Sequence, residues 1–183
     1  MELILASQSP RRRELLGLLK RPFTVRVADI DETMDPELPA REAVAQVSRR
    51  KAHAGPRGPE DLVIAADTIV VCQEKILGKP ADAAEAEAML RLLSGRDHQV
   101  MTGLTVLCGD RETVVTEVTD LHFRALSDRE IRDYVESGEP MDKAGAYGIQ
   151  GGAALFCQRI EGDYYNVVGL PVCKLVEILE QYL

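Results

Sequence analysis

The chain has 183 residues, 45% of them hydrophobic and 28% charged, with a formal net charge of −8 at pH 7. That length supports one full-sized domain, residues 1–183, and the absence of low-complexity tracts or repeats excludes a disordered or repeat protein. The acidity argues against nucleic acid as the main partner, because such binding draws its affinity from cationic contacts to phosphate.

The apolar run within Met1–Ser7 is far too short for a signal peptide, and no stretch of about eighteen consecutive apolar residues occurs. A cytoplasmic protein with no membrane partner is therefore expected. Cys72, Cys108, Cys157 and Cys173 lie far apart within apolar runs and read as small core residues rather than a disulfide or zinc framework. His53, His98 and His122 are isolated and form no metal-ligand spacing.

In chain order, Leu3-Ile-Leu5 predicts a short buried strand, Ala6-Ser7-Gln8 a loop, and Ser9-Pro10 a helix start running to about Leu19. Ser accepts from the first free amides, and Pro gives up an amide that has no intrahelical partner anyway. Leu15, Leu16, Leu18 and Leu19 would form the apolar face. Arg11, Arg12 and Arg13 occupy the first turn, where the helix dipole disfavours cations. A Ser-containing loop, free amides and converging guanidiniums suit a phosphate or carboxylate, the plainer reading being a solvated basic face.

Phe23–Val27 alternates as a strand and enters an acidic loop carrying Asp29, Asp31 and Glu32. A helix from Pro39 to about Ala54 places Val44, Val47 and Lys51 on one stripe. Lys51 then points inward or toward a cleft edge, or snorkels to water along its stem. Arg49 and Arg50 have more freedom to face solvent.

The stretch Leu62-Val-Ile-Ala-Ala-Asp-Thr-Ile-Val-Val71 carries a carboxylate through an otherwise strand-forming apolar run. Burying an ionised carboxylate without partners is heavily penalised, so Asp67 must meet cations and donors or stand at a strand end facing a cleft. The competing reading makes Asp67-Thr68 a turn between two short strands. Gln73-Glu74 predicts a hairpin turn, and Gly78-Lys79-Pro80 holds Lys79 on stiff backbone close in sequence to Asp67.

Asp82 and Glu85 form a capping-box pattern for a helix ending at Ser94-Gly95. Strands His98–Leu107 and Glu112–Phe123 join at Gly109-Asp110 as an antiparallel hairpin, and Ser127 with Glu130 opens a helix ending at Ser137-Gly138. The Gly-rich segment Asp142–Gly152 carries Lys143, Tyr147 and Gln150; its small residues permit close backbone approach, and Gln150 can read a base edge as donor and acceptor. It contains no dinucleotide fingerprint. A strand from Ala153 to Ile160, a turn at Glu161-Gly162 and a helix from Pro171 to Tyr182 complete an α/β chain of mixed strand direction.

Five stretches in order, Leu5-Ala-Ser-Gln-Ser-Pro-Arg-Arg12, Ala66-Asp-Thr-Ile-Val70, Leu77-Gly-Lys-Pro80, Leu93-Ser-Gly-Arg96 and Asp142–Gly151, resemble the Maf family of nucleoside-triphosphate pyrophosphatases. The resemblance covers essentially the whole chain. It implies an elongated mixed β-sheet flanked by helices, with two lobes and a cleft, similar to the inosine-triphosphate pyrophosphatase fold. It also implies hydrolysis of a nucleoside triphosphate to the monophosphate and pyrophosphate with a divalent metal ion, Mg2+ or Mn2+, and a homodimer. Ala-Tyr-Gly-Ile-Gln-Gly looks like the branch acting on dTTP and UTP. Carried onto matching positions, Asp67 would be the proton acceptor, and Arg11, Thr68 and Gln150 would help select the nucleotide. Ser7, Arg12, Glu32, Lys51 and Lys79 match the family's other polar cleft residues.

In that reading water attacks the α-phosphorus with Asp67 as base or metal ligand, Glu32 shares the metal, and Arg11, Arg12, Lys51 and Lys79 offset the leaving pyrophosphate's charge. The alternative is a non-catalytic nucleotide-sensing regulator of cell division. A carboxylate in the buried run favours the enzyme, since a pure phosphate binder gains little from an anion beside its ligand.

Overall fold

The computed structural model describes residues 1–183. Its strands hydrogen-bond in one seven-stranded mixed sheet in the order β2-β1-β3-β5-β6-β7, with β4 paired to β3. These are β1 (Leu3–Leu5), β2 (Thr24–Val25), β3 (Leu62–Cys72), β4 (Lys75–Leu77), β5 (Asp97–Cys108), β6 (Arg111–Phe123) and β7 (Cys157–Glu161). The helices are α1 (Pro10–Gly17), α2 (Ala40–Ala54), α3 (Ala83–Leu93), α4 (Asp128–Glu136), α5 (Tyr164–Val168) and α6 (Val172–Leu179). The chain divides into two compact units.

The first unit comprises Met1–Thr68, Thr102–Glu117 and Tyr165–Leu183. Here β1 pairs in parallel with β2 and with β3, in the registers Ile4↔Thr24 and Ile4↔Val63. Strands of parallel pairs are buried on both faces, which is why the start of β3 is almost uninterrupted in apolar residues. Ile4, Ala6, Ala52, Val63, Ala65 and Leu107 form one core cluster of this unit. Val44 and Val47 of α2 are fully buried, as the helical stripe requires.

The second unit comprises Ile69–Met101 and Val118–Tyr164. The end of β3 turns at Gln73 and Glu74, both at positive φ (50° and 64°), into the antiparallel β4 with Val70↔Leu77. This is the geometry of a two-residue hairpin. Its core is aromatic: His98, Phe123 and Tyr147 meet edge to face, and Phe156 bridges Phe123 and Tyr134. The capping box of α4 forms in full between Ser127 and Glu130. At α3, Asp82 caps Glu85 N, but Glu85 reaches back to Ala81 N, one residue beyond the box.

Several expectations are corrected. β3 runs unbroken from Leu62 to Cys72, so Asp67-Thr68 is no turn. α1 stops at Gly17 and Leu18 is exposed, because the chain tightens there: Leu18 N bonds Leu15 O, three residues back. Only Thr24 and Val25 of the expected strand Phe23–Val27 pair, since β2 is a sheet edge with β1 as its one partner.

The expected strand start at Ala153 is instead a 3-10 turn over Gly152–Leu155, and pairing begins at Cys157. The Gly152 amide that would begin a ladder is held by the Glu139 carboxylate at 3.1 Å. The helix α5 was not anticipated, because Tyr-Tyr-Asn-Val-Val favours strand and tertiary context overrides it. Of the four free cysteines only Cys72 is buried, and Cys173 is exposed.

Candidate active site

The first site element is built at the start of α1. Ser9 takes the N-cap position with Pro10 behind it, its hydroxyl accepting from Arg12 N. This fixes the direction in which the Arg12 side chain leaves the helix. Its guanidinium donates from Nε to Gly169 O at 2.7 Å and from Nη2 to Thr68 Oγ1 at 2.9 Å, with Nη1 3.4 Å from Ser7 Oγ. Burial pushes the Arg12 pKa down, Asp67 and Glu32 pull it up, and Arg11 reinforces the lowering. Arg11 is half-buried and Arg13 exposed. The three arginines thus separate into one inserted, one flanking and one solvated.

The second element joins α2, β3 and the acidic loop. Lys51 Nζ lies 2.7 Å from Asp67 Oδ1 and 3.0 Å from Glu32 Oε1. Lys51 therefore does not snorkel; its side chain is 15% exposed and bridges two carboxylates, of which Asp67 is 13% and Glu32 57% exposed. A charge pair this dry is favourable only with good geometry, and removal of one partner leaves the other uncompensated. Asp67 thus meets its cation mid-strand, while its second oxygen, Oδ2, is not engaged by Lys51.

Arg50, one residue along α2, holds the loop that carries Glu32. It donates from Nη1 to Asp31 O at 2.6 Å and from Nη2 to Thr33 O at 2.7 Å, gripping the carbonyls on either side of Glu32. Asp31 Oδ1 also accepts from Thr33 N, closing the turn. Arg50, expected to have more freedom to face solvent than Lys51, is instead engaged: both carbonyls lie in a loop without ladder partners, and the guanidinium supplies them.

Lys79 and Gln150 belong to the second unit and both are exposed. Gln150 rides on a short turn closed by Gly151 N to Gly148 O. That turn is braced from below: Tyr134 Oη accepts from Gly148 N at 3.0 Å and donates to Glu139 Oε1 at 2.8 Å, and the same carboxylate accepts from Gly152 N. Gly145 sits at φ 70°, and a Cβ there would lie 2.6 Å from Val70 Cγ2, so only glycine passes over β3 at this point.

Asp67 and Glu32 are hard oxygen donors drawn to one point, which fits a Mg2+ or Mn2+ ion bound through one or two carboxylates and substrate phosphates. No cluster of three or more His, Cys, Asp or Glu residues is arranged for a metal, so a fully protein-built cage does not fit. Lys51, standing between the two carboxylates, keeps them together without a metal.

Within the first unit the structure therefore gathers Ser7, Arg12, Thr68, Lys51, Asp67 and Glu32, with Arg11 close enough to act on Arg12 electrostatically. Sequence reasoning missed Arg50 and Gly169, and also Thr102, whose Oγ1 lies 2.8 Å from Thr68 Oγ1, and Asn166, whose carbonyl accepts from Thr102 at 3.1 Å. Of these only Gly169 carried a signal, a glycine in the apolar run Val167-Val-Gly-Leu-Pro171. It lies at φ 129°, with the Arg12 Nε 3.6 Å from where a Cβ would stand.

A profile of the family described as Maf-like protein matches residues 2–182. A protein of Symbiobacterium thermophilum named dTTP/UTP pyrophosphatase is 54% identical over 183 residues, 99% of this chain and 94% of its own. Proteins of the same name from a Geobacillus species and from Bacillus pumilus are 51% and 48% identical, covering 96% and 99% of this chain and 95% and 96% of theirs. Among solved structures, the Staphylococcus aureus Ham1 protein superposes with a TM-score of 0.52 at 14% identity over the whole of both chains. A HAM1 protein from Coxiella burnetii gives 0.50 at 16% identity over 99% of each chain. At these identities the structural likeness concerns the fold alone.

Proposed function

Since the chain belongs to the Maf-like protein family, we propose that it is a nucleoside-triphosphate pyrophosphatase that hydrolyses dTTP and UTP to the monophosphate and pyrophosphate. The observation that carries the reading is the Asp67 carboxylate, held mid-strand by Lys51 at 2.7 Å beside the inserted Arg12. Relatives about half identical over nearly their full length bear the name of that activity. The whole chain, residues 1–183, acts as one catalytic domain in this reading.

Water attacks the α-phosphorus, the bond from that phosphorus to the bridging oxygen breaks, and pyrophosphate leaves with the electron pair. Asp67 takes the water's proton on Oδ2, while Lys51 keeps the carboxylate oriented through Oδ1. Arg12, Arg11, Lys51 and Lys79 stand against the phosphate charge, and Ser7 with the α1 amides orients the chain of phosphates. No protein nucleophile is needed, because such displacements depend on positioning and charge neutralisation. Glu32, together with Asp67 where that carboxylate serves as metal ligand rather than base, would hold a Mg2+ or Mn2+ ion, which when bound supplies charge neutralisation on the phosphates. Thr68, Arg11 and Gln150 select the nucleotide. The same reading takes the enzyme to be a cytoplasmic homodimer, for which sedimentation is the test.

The deciding experiment is pyrophosphate release from dTTP, UTP, CTP, GTP and 7-methyl-GTP with Mg2+ or Mn2+, run beside Asp67→Asn. Turnover of dTTP and UTP that the variant loses is expected. Binding of a triphosphate with no hydrolysis would replace the enzyme by a nucleotide sensor.

A further inference from the structure

A threonine hydroxyl can both donate and accept, yet the surroundings of Thr68 remove one of these options. Thr102 Oγ1 donates its one hydrogen to the Asn166 carbonyl at 3.1 Å and lies 2.8 Å from Thr68 Oγ1. With that hydrogen engaged, Thr102 can only accept, so the Thr68 hydroxyl hydrogen points at Thr102. Thr68 Oγ1 also accepts from Arg12 Nη2 at 2.9 Å. A hydroxyl has one hydrogen and two lone pairs, which leaves Thr68 one lone pair and no hydrogen for a ligand. Thr102 and the Asn166 main chain are fully buried, so water does not scramble the polarity of the chain.

We propose that Thr102 is a positioning residue that makes Thr68 an acceptor-only contact, so that Thr68 receives a hydrogen-bond donor of the nucleoside and not a phosphate oxygen. Phosphate oxygens at neutral pH offer only lone pairs and would be repelled by the one Thr68 has left. In a thymidine triphosphate two donors qualify: the imide N3–H of the base and the 3′-hydroxyl of the sugar. The inference rests on the reading of the site as one that holds a nucleoside triphosphate.

The test compares dTTP, N3-methyl-dTTP and 2′,3′-dideoxythymidine triphosphate, by kcat/KM and by calorimetric affinity, on the wild type, Thr102→Val and Thr102→Ser. The wild type should lose about tenfold with the analogue that lacks the true donor, the usual size of a buried hydrogen bond left unmade. Which analogue fails identifies base or sugar as the source. In Thr102→Val nothing pins the Thr68 hydrogen, so the remaining lone pair is no longer aimed at the ligand and that discrimination should shrink to about twofold, returning in Thr102→Ser, which keeps the hydroxyl. Loss of a merely structural contact would lower all three substrates together.

The inference is overturned if the wild type handles both analogues as well as dTTP, a comparison that does not depend on any variant folding. It is also overturned if Thr102→Val discriminates as the wild type does. Discrimination seen in affinity without turnover of any substrate would support the Thr68 polarity while removing the catalytic reading.

Discussion

Asp67 is the residue whose surroundings decide most. Asparagine at this position keeps the shape and still accepts from Lys51, but cannot take a proton. Asp67→Asn should therefore lower kcat about a hundredfold or more while leaving nucleotide affinity within a few fold, as steady-state kinetics and calorimetry would register. Near-normal turnover would remove Asp67 as the base. The three arginines of α1 divide just as sharply. Arg12 is inserted and bonded, whereas Arg13 is exposed. Arg13→Ala should change kcat little and Lys79→Ala should lower it, because Lys79 stands on the stiff Gly78-Lys79-Pro80 backbone and is proposed to face phosphate. Equal effects from the two would undo the distinction. That Asp67 and Lys51 needed partners within the fold was legible from sequence, since one interrupts an apolar strand and the other falls on a buried stripe. That they meet each other was not, because sixteen residues of separation carry no distance.

At the scale of elements, α2 does two tasks with adjacent residues. Lys51 reaches β3, and Arg50 grips the loop on both sides of Glu32. Arg50→Ala should free that loop: amide exchange at 31–33 should speed up, and activity should fall several-fold. In the Glu32→Gln background it should add little, since coupled residues are not additive. Unchanged exchange would mean that the loop is held by other means. The approach to α6 supplies a second such support. Gly169 lies at φ 129° and gives its carbonyl to Arg12. Gly169→Ala forces an L side chain into a conformation it rarely adopts, so a loss of about 1–3 kcal/mol in stability is expected from denaturant titration, together with lower activity. Apart from α5 and the 3-10 turn at Gly152–Leu155, element type and order were readable because caps, turns and periodicity are local. The start of β7 was misjudged because its ladder is displaced by a carboxylate that lies elsewhere in the chain, at Glu139.

For the molecule as a whole, His98 sets a vulnerability to acid. It is 3% exposed among Phe123 and Tyr147, its Nε2 shares a hydrogen bond with Tyr147 Oη, and its Nδ1 has no partner. Burial pushes its pKa from 6.5 down to about 4. The unfolded chain takes up this proton below about 6.5 and the native protein only below about 4, so stability is full above that window and falls as pH drops through it. The loss is on the order of 3 kcal/mol. Urea midpoints for the wild type should decline across the window more steeply than those of His98→Gln, and parallel curves would refute the assignment. The sequence by itself determined the α/β class, the mixed strand directions, most caps and turns, and the family through five ordered motifs, since these depend on neighbours a few residues apart. It also marked which charged residues were out of place. Only the tertiary structure decided their partners: Lys51 between Asp67 and Glu32, Arg50 on the Glu32 loop, Gly169 and Thr68 on Arg12, and Thr102 behind Thr68. Hydrogen bonds and ion pairs act over about 3 Å in space, and local sequence patterns do not encode which distant segments come that close.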